Sequence, residues 1–236
     1  MLQNFESLVL IWLGIGFITF ITLLKIPAPY GKFSKTNWGP MIPSKLGWIV
    51  MEIISPLALL YFFLNGNIEK TPTNITFISL WTLHYFNRSV IYPLRQNNPA
   101  QMPLIIAVLA FLFNVMNGYI NGTYFGSIQE YSAEYMSNWN FIIGVCLFIF
   151  GAYINIKSDN ILLSLRSKSG EYKIPEGFMF RYVSFPNYLG EILEWMAFAI
   201  MTWSLAGLSF MIWTMANLVP RAIKGHQWYH SKFESY

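Results

Sequence analysis

Apolar residues gather into seven long stretches along the chain, near residues 7–27, 46–64, 73–94, 102–120, 138–156, 186–204 and 206–222. Each approaches the roughly 20 mostly apolar residues a helix needs to cross the hydrocarbon core of a bilayer. The pattern predicts an all-α, polytopic membrane protein with seven transmembrane helices. Only a short turn around Ser204 to Gly207 separates the last two stretches, which predicts a helical hairpin. The flank of the first, Asn4 to Ser7, carries no basic residue and no small-residue cleavage motif follows it, so it reads as a helix rather than a signal peptide.

Composition agrees with the pattern. Of 236 residues, 55% are hydrophobic and 11% charged, against roughly 25% charged in soluble domains. Intrinsic disorder, a disulfide scaffold and a water-soluble Rossmann enzyme are excluded. The single cysteine, Cys146, cannot form an internal disulfide, and no Cys/His spacing suggests a metal. The net charge of +4 reflects basic loops rather than nucleic-acid binding. With the N-terminus outside, thirteen of the fifteen Lys and Arg fall on the inner side. Lys70 alone lies outside, and Arg88 lies within the third stretch. The positive-inside rule then gives a cytoplasmic C-terminus. The whole chain, 1–236, reads as one integral membrane domain, in a bacterial inner membrane or the endoplasmic reticulum.

Ionisable side chains inside apolar helices are costly and usually face a cavity. This chain has Glu52, His84, Arg88, Glu191 and Glu194 in such positions, with Tyr85, Asn155 and Asn187 beside them. Asn187, Glu191 and Glu194 fall at i, i+4 and i+7, on one helical stripe, and Asn155 and Asp159 at i and i+4. Tyr85, Arg88 and Tyr92 share a face. All lie toward the inner ends of their helices, which predicts one polar cavity open to the cytoplasm. Interhelical hydrogen bonding is the plainer reading of any one of them. Asn114 and Asn117 lie toward the outer end of the fourth stretch and read as packing groups. Asn74-Ile-Thr and Asn121-Gly-Thr match the glycosylation pattern, which is common by chance.

The longest inner segment, 157–181, is basic, and residues 160–166 form an amphipathic patch suited to the membrane surface. From Arg221 to Tyr236, basic groups alternate with aromatics, a pattern that suits a phosphate-bearing aromatic cofactor. No Gly-rich phosphate loop is present.

At these positions the chain resembles the steroid 5α-reductase family. Asn187-Tyr-Leu-Gly-Glu191-Ile-Leu-Glu194-Trp195, Trp203-Ser204, Arg221-Ala222 and His226-Gln-Trp228-Tyr229 followed by Lys232-Phe233-Glu234 carry the strongest match. Asn155-Ile-Lys-Ser-Asp159, Leu165-Arg166 and Tyr172-Lys173-Ile-Pro175-Glu-Gly177 form a second block. Pro29-Tyr30-Gly31-Lys32, Trp48-Ile-Val-Met-Glu52 and His84-Tyr85-Phe86-Asn-Arg88 form a third. Met51-Glu52 is the plant-like version of its motif. Lys173 stands where animal members often have Arg, and Gly225 where they often have His.

The resemblance implies a seven-helix, NADPH-dependent reductase of a lipophilic enone, most typically a 3-oxo-Δ4 steroid. It implies Glu52 and Tyr85 as the catalytic pair. Asn155, Asp159, Arg166, Lys173, Asn187, Glu191, Trp195, Arg221, His226 and Tyr229 would hold NADPH, and Arg88 would serve its phosphates or anchor Tyr85. Tyr30 and Trp48 would line the substrate entrance. Residues 29–95 would then form the substrate side and 150–236 the NADPH half, with no obligate protein partner. The rivals are a polyprenol or long-chain enoyl-CoA reductase, an isoprenylcysteine methyltransferase-like enzyme using S-adenosylmethionine, and a transporter.

Overall fold

The computed structural model describes residues 2–96, 100–165, 172–234 and 236. Its α-helical segments are α1 (Leu2–Lys25), α2 (Ser44–Leu64), α3 (Pro72–Phe86), the single turn α4 (Tyr92–Leu94), α5 (Leu104–Thr123), α6 (Trp139–Leu165), α7 (Pro186–Thr202) and α8 (Leu205–Lys232). Two π-helical turns extend them, Asn87–Ile91 between α3 and α4 and Tyr124–Ile128 after α5. Among the described residues, four helical stretches are long and apolar enough to cross a membrane: Leu2–Lys25, Ser44–Leu64, Leu104–Ile128 and Trp139–Leu165. Large apolar side chains lie exposed along them, as on α1, where Leu10, Ile11, Phe17 and Ile18 are each more than half exposed. Lipid is the solvent in which such faces are stable. Cys146 is exposed as well.

Two departures from the sequence reading stand out. A small antiparallel sheet joins β1 (Met41–Pro43) to β2 (Gln101–Pro103), so the chain is not purely helical. In addition, α6 runs on to Leu165, taking in the start of the expected 157–181 loop. Between Gly151 and Gly170 the sequence has neither Gly nor Pro, so no helix breaker falls at the apolar edge.

The chain divides into two compact units. One comprises Pro29–Phe141. In it β1 and β2 set the starts of α2 and α5 side by side, with Ser44 N–H donating to Ala100 O (2.9 Å) and Leu104 N–H to Pro40 O (2.8 Å). The two helices then run parallel. Gly118, Gly122 and Gly126, spaced by four, form a seam on which the α2 backbone rests. A Cβ on Gly122 would stand 2.6 Å from Leu59 O, and one on Gly126 2.8 Å from Phe63 O. Small-residue seams are how helices pack closely in lipid, where no hydrophobic drive exists between them. Within α2, Pro56 supplies no N–H to the Glu52 carbonyl and loosens that turn.

The α3 end of this unit is closed by the segment after α5. Thr71 caps α3, accepting from Asn74 N–H, and its hydroxyl donates to Tyr131 O (2.7 Å). Thr73 donates to Ser132 O (2.7 Å) and Asn74 Nδ2 to Phe125 O (2.9 Å). Asn74 and Asn121 are fully buried, so neither is a glycan acceptor in the folded protein.

Tyr131 packs against Phe77 and Phe125. Burial pushes its phenol far above the usual range, and the neighbouring Tyr124 and Tyr135 phenols push it the same way. The folded state therefore keeps a proton that an unfolded chain releases near pH 10. The stabilisation is complete below that pH and is lost as pH rises above it. Stability should fall by about 1.4 kcal/mol per pH unit above about pH 10 on account of this residue. Melting curves in alkaline buffers should show a shallower decline for Tyr131→Phe, and identical declines would remove Tyr131 as the cause.

The other unit comprises Gln3–Ala28 and Ile142–Tyr236. Trp213 of α8 donates to Trp12 O (3.1 Å), and its ring lies 4.5 Å from that of Trp12. The expected hairpin is present. Trp203 ends α7 in the left-handed conformation (φ 45°), and Ser204 caps α8 by accepting from Gly207 N–H (3.0 Å). α6 and α7 touch through Gly151 and Gly190, where either added Cβ would meet the opposite backbone at 2.7 Å.

Candidate functional site

In the Pro29–Phe141 unit, α2 carries Trp48, Glu52 and Ser55 on one stripe, at i, i+4 and i+7. Both ends of this stripe touch the α3 segment. Trp81 Nε1 donates to Ser55 Oγ (3.1 Å), and Trp48 Nε1 donates to Arg88 O (3.1 Å). The two elements are antiparallel, so half-buried Glu52, midway between these contacts, falls at the level of His84 and Tyr85. Tyr85 is buried and stacks on Trp81 at 5.7 Å. Its hydroxyl donates to Asn114 Oδ1 (3.3 Å).

The π-turn at Asn87–Ile91 shapes the next turn of the same wall. Such turns often mark functional sites, because the extra residue re-aims side chains. Here Ser89 Oγ donates to Tyr85 O (2.6 Å). Buried Arg88 lies between two aromatic faces, its guanidinium carbon 5.2 Å from the Trp48 ring and 5.0 Å from Tyr92. Tyr30 lies 6.2 Å from Trp48. The structure thus brings Tyr30, Trp48 and Arg88 together and sets Tyr85 a turn away.

In the other unit, the Gly151–Gly190 contact lets α6 side chains reach α7. Asn155 Nδ2 donates to Asn187 O (2.9 Å), and Asn187 Nδ2 donates to Asp159 Oδ1 (3.1 Å). All three residues are buried. Asn187 Oδ1 and Ser158 Oγ, both buried, have no hydrogen-bond partner among the described residues. Buried polar atoms are rarely left so, and an unmet acceptor and an unmet hydroxyl are groups that a ribose or a carboxamide could satisfy. Glu191 is half-buried one turn along α7, and Glu194 is buried beyond it.

Trp195 is enclosed by Phe148, Phe198 and Phe210, with ring distances of 6.0, 5.8 and 4.5 Å. Arg221 Nε donates to Tyr188 OH (3.0 Å), and His226 Nδ1 pairs with Ser184 Oγ (2.7 Å). Tyr229 is buried against Phe185 at 5.8 Å. Lys173 is exposed, and Arg166 lies outside the described residues. Among the described residues, no three His, Cys, Asp or Glu side chains gather as a metal site would require.

Sequence reasoning does not assign these roles to Asn114, Tyr92, Tyr188 and Ser184. The available signals are the face Tyr92 shares with Tyr85 and Arg88, and the spacing Asn114, Gly118, Gly122 and Gly126, which puts the amide on the same stripe as the seam.

Apolar helices long enough to cross a bilayer mark the chain as a membrane protein, and each unit buries its own hydrogen-bonded polar cluster. The profile of the 3-oxo-5-alpha-steroid 4-dehydrogenase family matches residues 100–236. The chain is 41% identical to a steroid 5-alpha-reductase of Arabidopsis thaliana over 227 residues, covering 92% of this chain and 86% of the relative. It is 42% identical to that of Solanum lycopersicum over 233 residues, covering 97% and 91%. It is 36% identical to the 3-oxo-5-alpha-steroid 4-dehydrogenase 1 of Rattus norvegicus over 226 residues, covering 94% and 86%. The chain belongs to the 3-oxo-5-alpha-steroid 4-dehydrogenase family, and is an oxidoreductase of the class acting on CH–CH bonds.

Proposed function

We propose that this protein reduces the Δ4 double bond of a 3-oxo-Δ4 steroid, or of a similar lipophilic enone, to the 5α-reduced ketone with NADPH. The observation that carries the reading is the buried cluster Asn155–Asn187–Asp159, whose Asn187 Oδ1 has no hydrogen-bond partner among the described residues. A packing role alone would leave that acceptor buried at a cost of about 1–3 kcal/mol. Relatives named as steroid 5-alpha-reductases, aligned over most of the chain, support the substrate class.

When bound, NADPH would supply a hydride to the β-carbon of the enone. The chain's own part is to hold the two molecules and to stabilise charge. Asn155, Asp159, Asn187 and Glu191 would hold ribose hydroxyls and the carboxamide, and Arg166, Lys173, Arg221 and His226 the phosphates. Trp195 and Tyr229 would complete that half, residues 150–236. On the substrate side, residues 29–95, Tyr30 and Trp48 would line the entrance, with Arg88 gripped between Trp48 and Tyr92 to brace the wall that bears Tyr85. Negative charge gathers on the carbonyl oxygen as the β-carbon is reduced. Glu52 and Tyr85 would donate to that oxygen, and a proton taken up at the α-carbon from water would complete the reduction. In their protonated forms a carboxyl and a phenol each have one hydrogen to give.

The same reading makes the chain one integral membrane domain of seven spans, N-terminus outside and cofactor site facing the cytoplasm. The parallel course of α2 and α5 supports this, since the second and fourth of alternating spans run the same way.

Purified protein given a Δ4-3-ketosteroid should oxidise NADPH in equal amount to the 5α-ketone formed, and NADPH should raise its melting temperature. A rise with S-adenosylmethionine instead, with no NADPH oxidation, would replace this reading with a methyltransferase.

A further inference from the structure

Three asparagines line the buried side of α5: Asn114, Asn117 and Asn121. Asn117 and Asn121 turn back on their own helix, Nδ2 donating to Phe113 O (2.8 Å) and to Asn117 O (3.2 Å). Asn114 reaches across to two other helices. Its Nδ2 donates to Met51 O (2.6 Å), and its Oδ1 accepts from Tyr85 OH (3.3 Å). Asn114, Met51 and Tyr85 are all buried, each 5% exposed or less.

The chemistry fixes the amide's orientation. A backbone carbonyl only accepts, so the NH2 group must face Met51. The amide oxygen is then turned to Tyr85, and the phenol must be the donor. Met51 is the neighbour of Glu52, so one side chain ties the phenol to the α2 turn that bears the carboxyl. The glycine seam delivers it there, since Asn114 sits one turn before Gly118 on the same i+4 stripe.

We propose that Asn114 is a positioning residue for the reduction described under Proposed function, on which this inference rests. It holds the Tyr85 phenol in register with Glu52 and accepts its proton until a substrate oxygen takes the place of the amide oxygen. At 3.3 Å the bond is longer than the usual 2.5–3.0 Å for a hydroxyl donor. It directs the proton without binding it tightly. A carbonyl oxygen gaining negative charge is a better acceptor than an amide and draws the phenol to itself.

The test compares wild type, Tyr85→Phe, Asn114→Leu, the double variant and Asn114→Asp as full-length purified proteins, with NADPH and a Δ4-3-ketosteroid. Tyr85→Phe should lower kcat about a hundredfold, in the range of a lost proton donor. Asn114→Leu should lower kcat about tenfold with the KM for NADPH unchanged, and the double variant should lie within about twofold of Tyr85→Phe, as coupled residues do. A protonated carboxyl in place of the amide keeps both a donor and an acceptor. Asn114→Asp should therefore be active at low pH and lose kcat as that carboxyl ionises. Wild type should lack that descending limb.

Unchanged kcat in Asn114→Leu, or losses that multiply in the double variant, would overturn the positioning role while the Tyr85→Phe loss left the site intact. Wild-type kcat in Tyr85→Phe would overturn the site itself, and the role of Asn114 with it. If Asn114→Leu shows no melting transition, the pH profile of Asn114→Asp decides: a new limb supports the role, and a wild-type profile overturns it.

Discussion

Glu52→Gln should reduce kcat by about two orders of magnitude or more, and its binding of NADPH should change by less than about twofold. The glutamine side chain matches the carboxyl in size and still donates a hydrogen bond, but it has no acidic proton to give. A loss of that size would therefore separate proton donation from simple polarisation. Placement on the α2 stripe between Trp48 and Ser55, opposite His84 and Tyr85, motivates the expectation. The measurements are single-turnover reduction of a Δ4-3-ketosteroid and a fluorescence titration with NADPH. A wild-type single-turnover rate with a large loss of NADPH affinity would make Glu52 a cofactor ligand instead.

The second large effect concerns stability. Gly122→Val should lower the stability of the protein by about 3 kcal/mol or more, at the upper end of overpacking costs. For a chain of this length that corresponds to a fall in Tm of roughly 6–12 °C. A Cβ on Gly122 would stand 2.6 Å from Leu59 O and 2.9 Å from Phe62 Cβ. The first is backbone and cannot turn aside, so α5 must move off α2. That movement would carry Asn114 away from the Met51 carbonyl, so activity should fall below what the remaining folded fraction explains. Gly14 of α1 has no atom of the described residues within 4 Å of the equivalent position, so Gly14→Val serves as the control with no loss of Tm. Equal melting of the two variants in the same detergent would show that the seam is not tightly closed.

Much of this is legible in the sequence, for identifiable reasons. Apolar runs of helical length dictate helices whatever surrounds them, and the turn between Thr202 and Leu205 is too short to be anything but a hairpin. Asn155, Asp159 and Asn187 stand out because a polar group in an apolar helix needs a partner, and they prove to be one another's partners. Asn114 reads as packing because its position suggests the outer end, away from the ionisable residues. Depth counted from a hydropathy edge does not fix the level at which residues of a partner helix stand opposite. The β1–β2 pairing, a contact between residues some 60 positions apart, sets that level for α2 and α5. The π-turn is hidden too, since no residue type marks it. The continuation of α6 to Leu165 escapes a reading by hydropathy, because falling hydrophobicity does not by itself end a helix where no Pro or Gly intervenes.

The turn at Asn87–Ile91 makes chain length there a functional quantity in its own right. The turn takes up one residue more than ordinary α-helix would, and a further inserted residue, left with no turn to take it up, would rotate everything downstream by roughly 100° about the axis. Tyr85, upstream, would stay put, while Tyr92 would swing off the guanidinium it now covers. A further insertion in these five residues would thus disturb one half of the wall and spare the other, with no single side chain altered in kind.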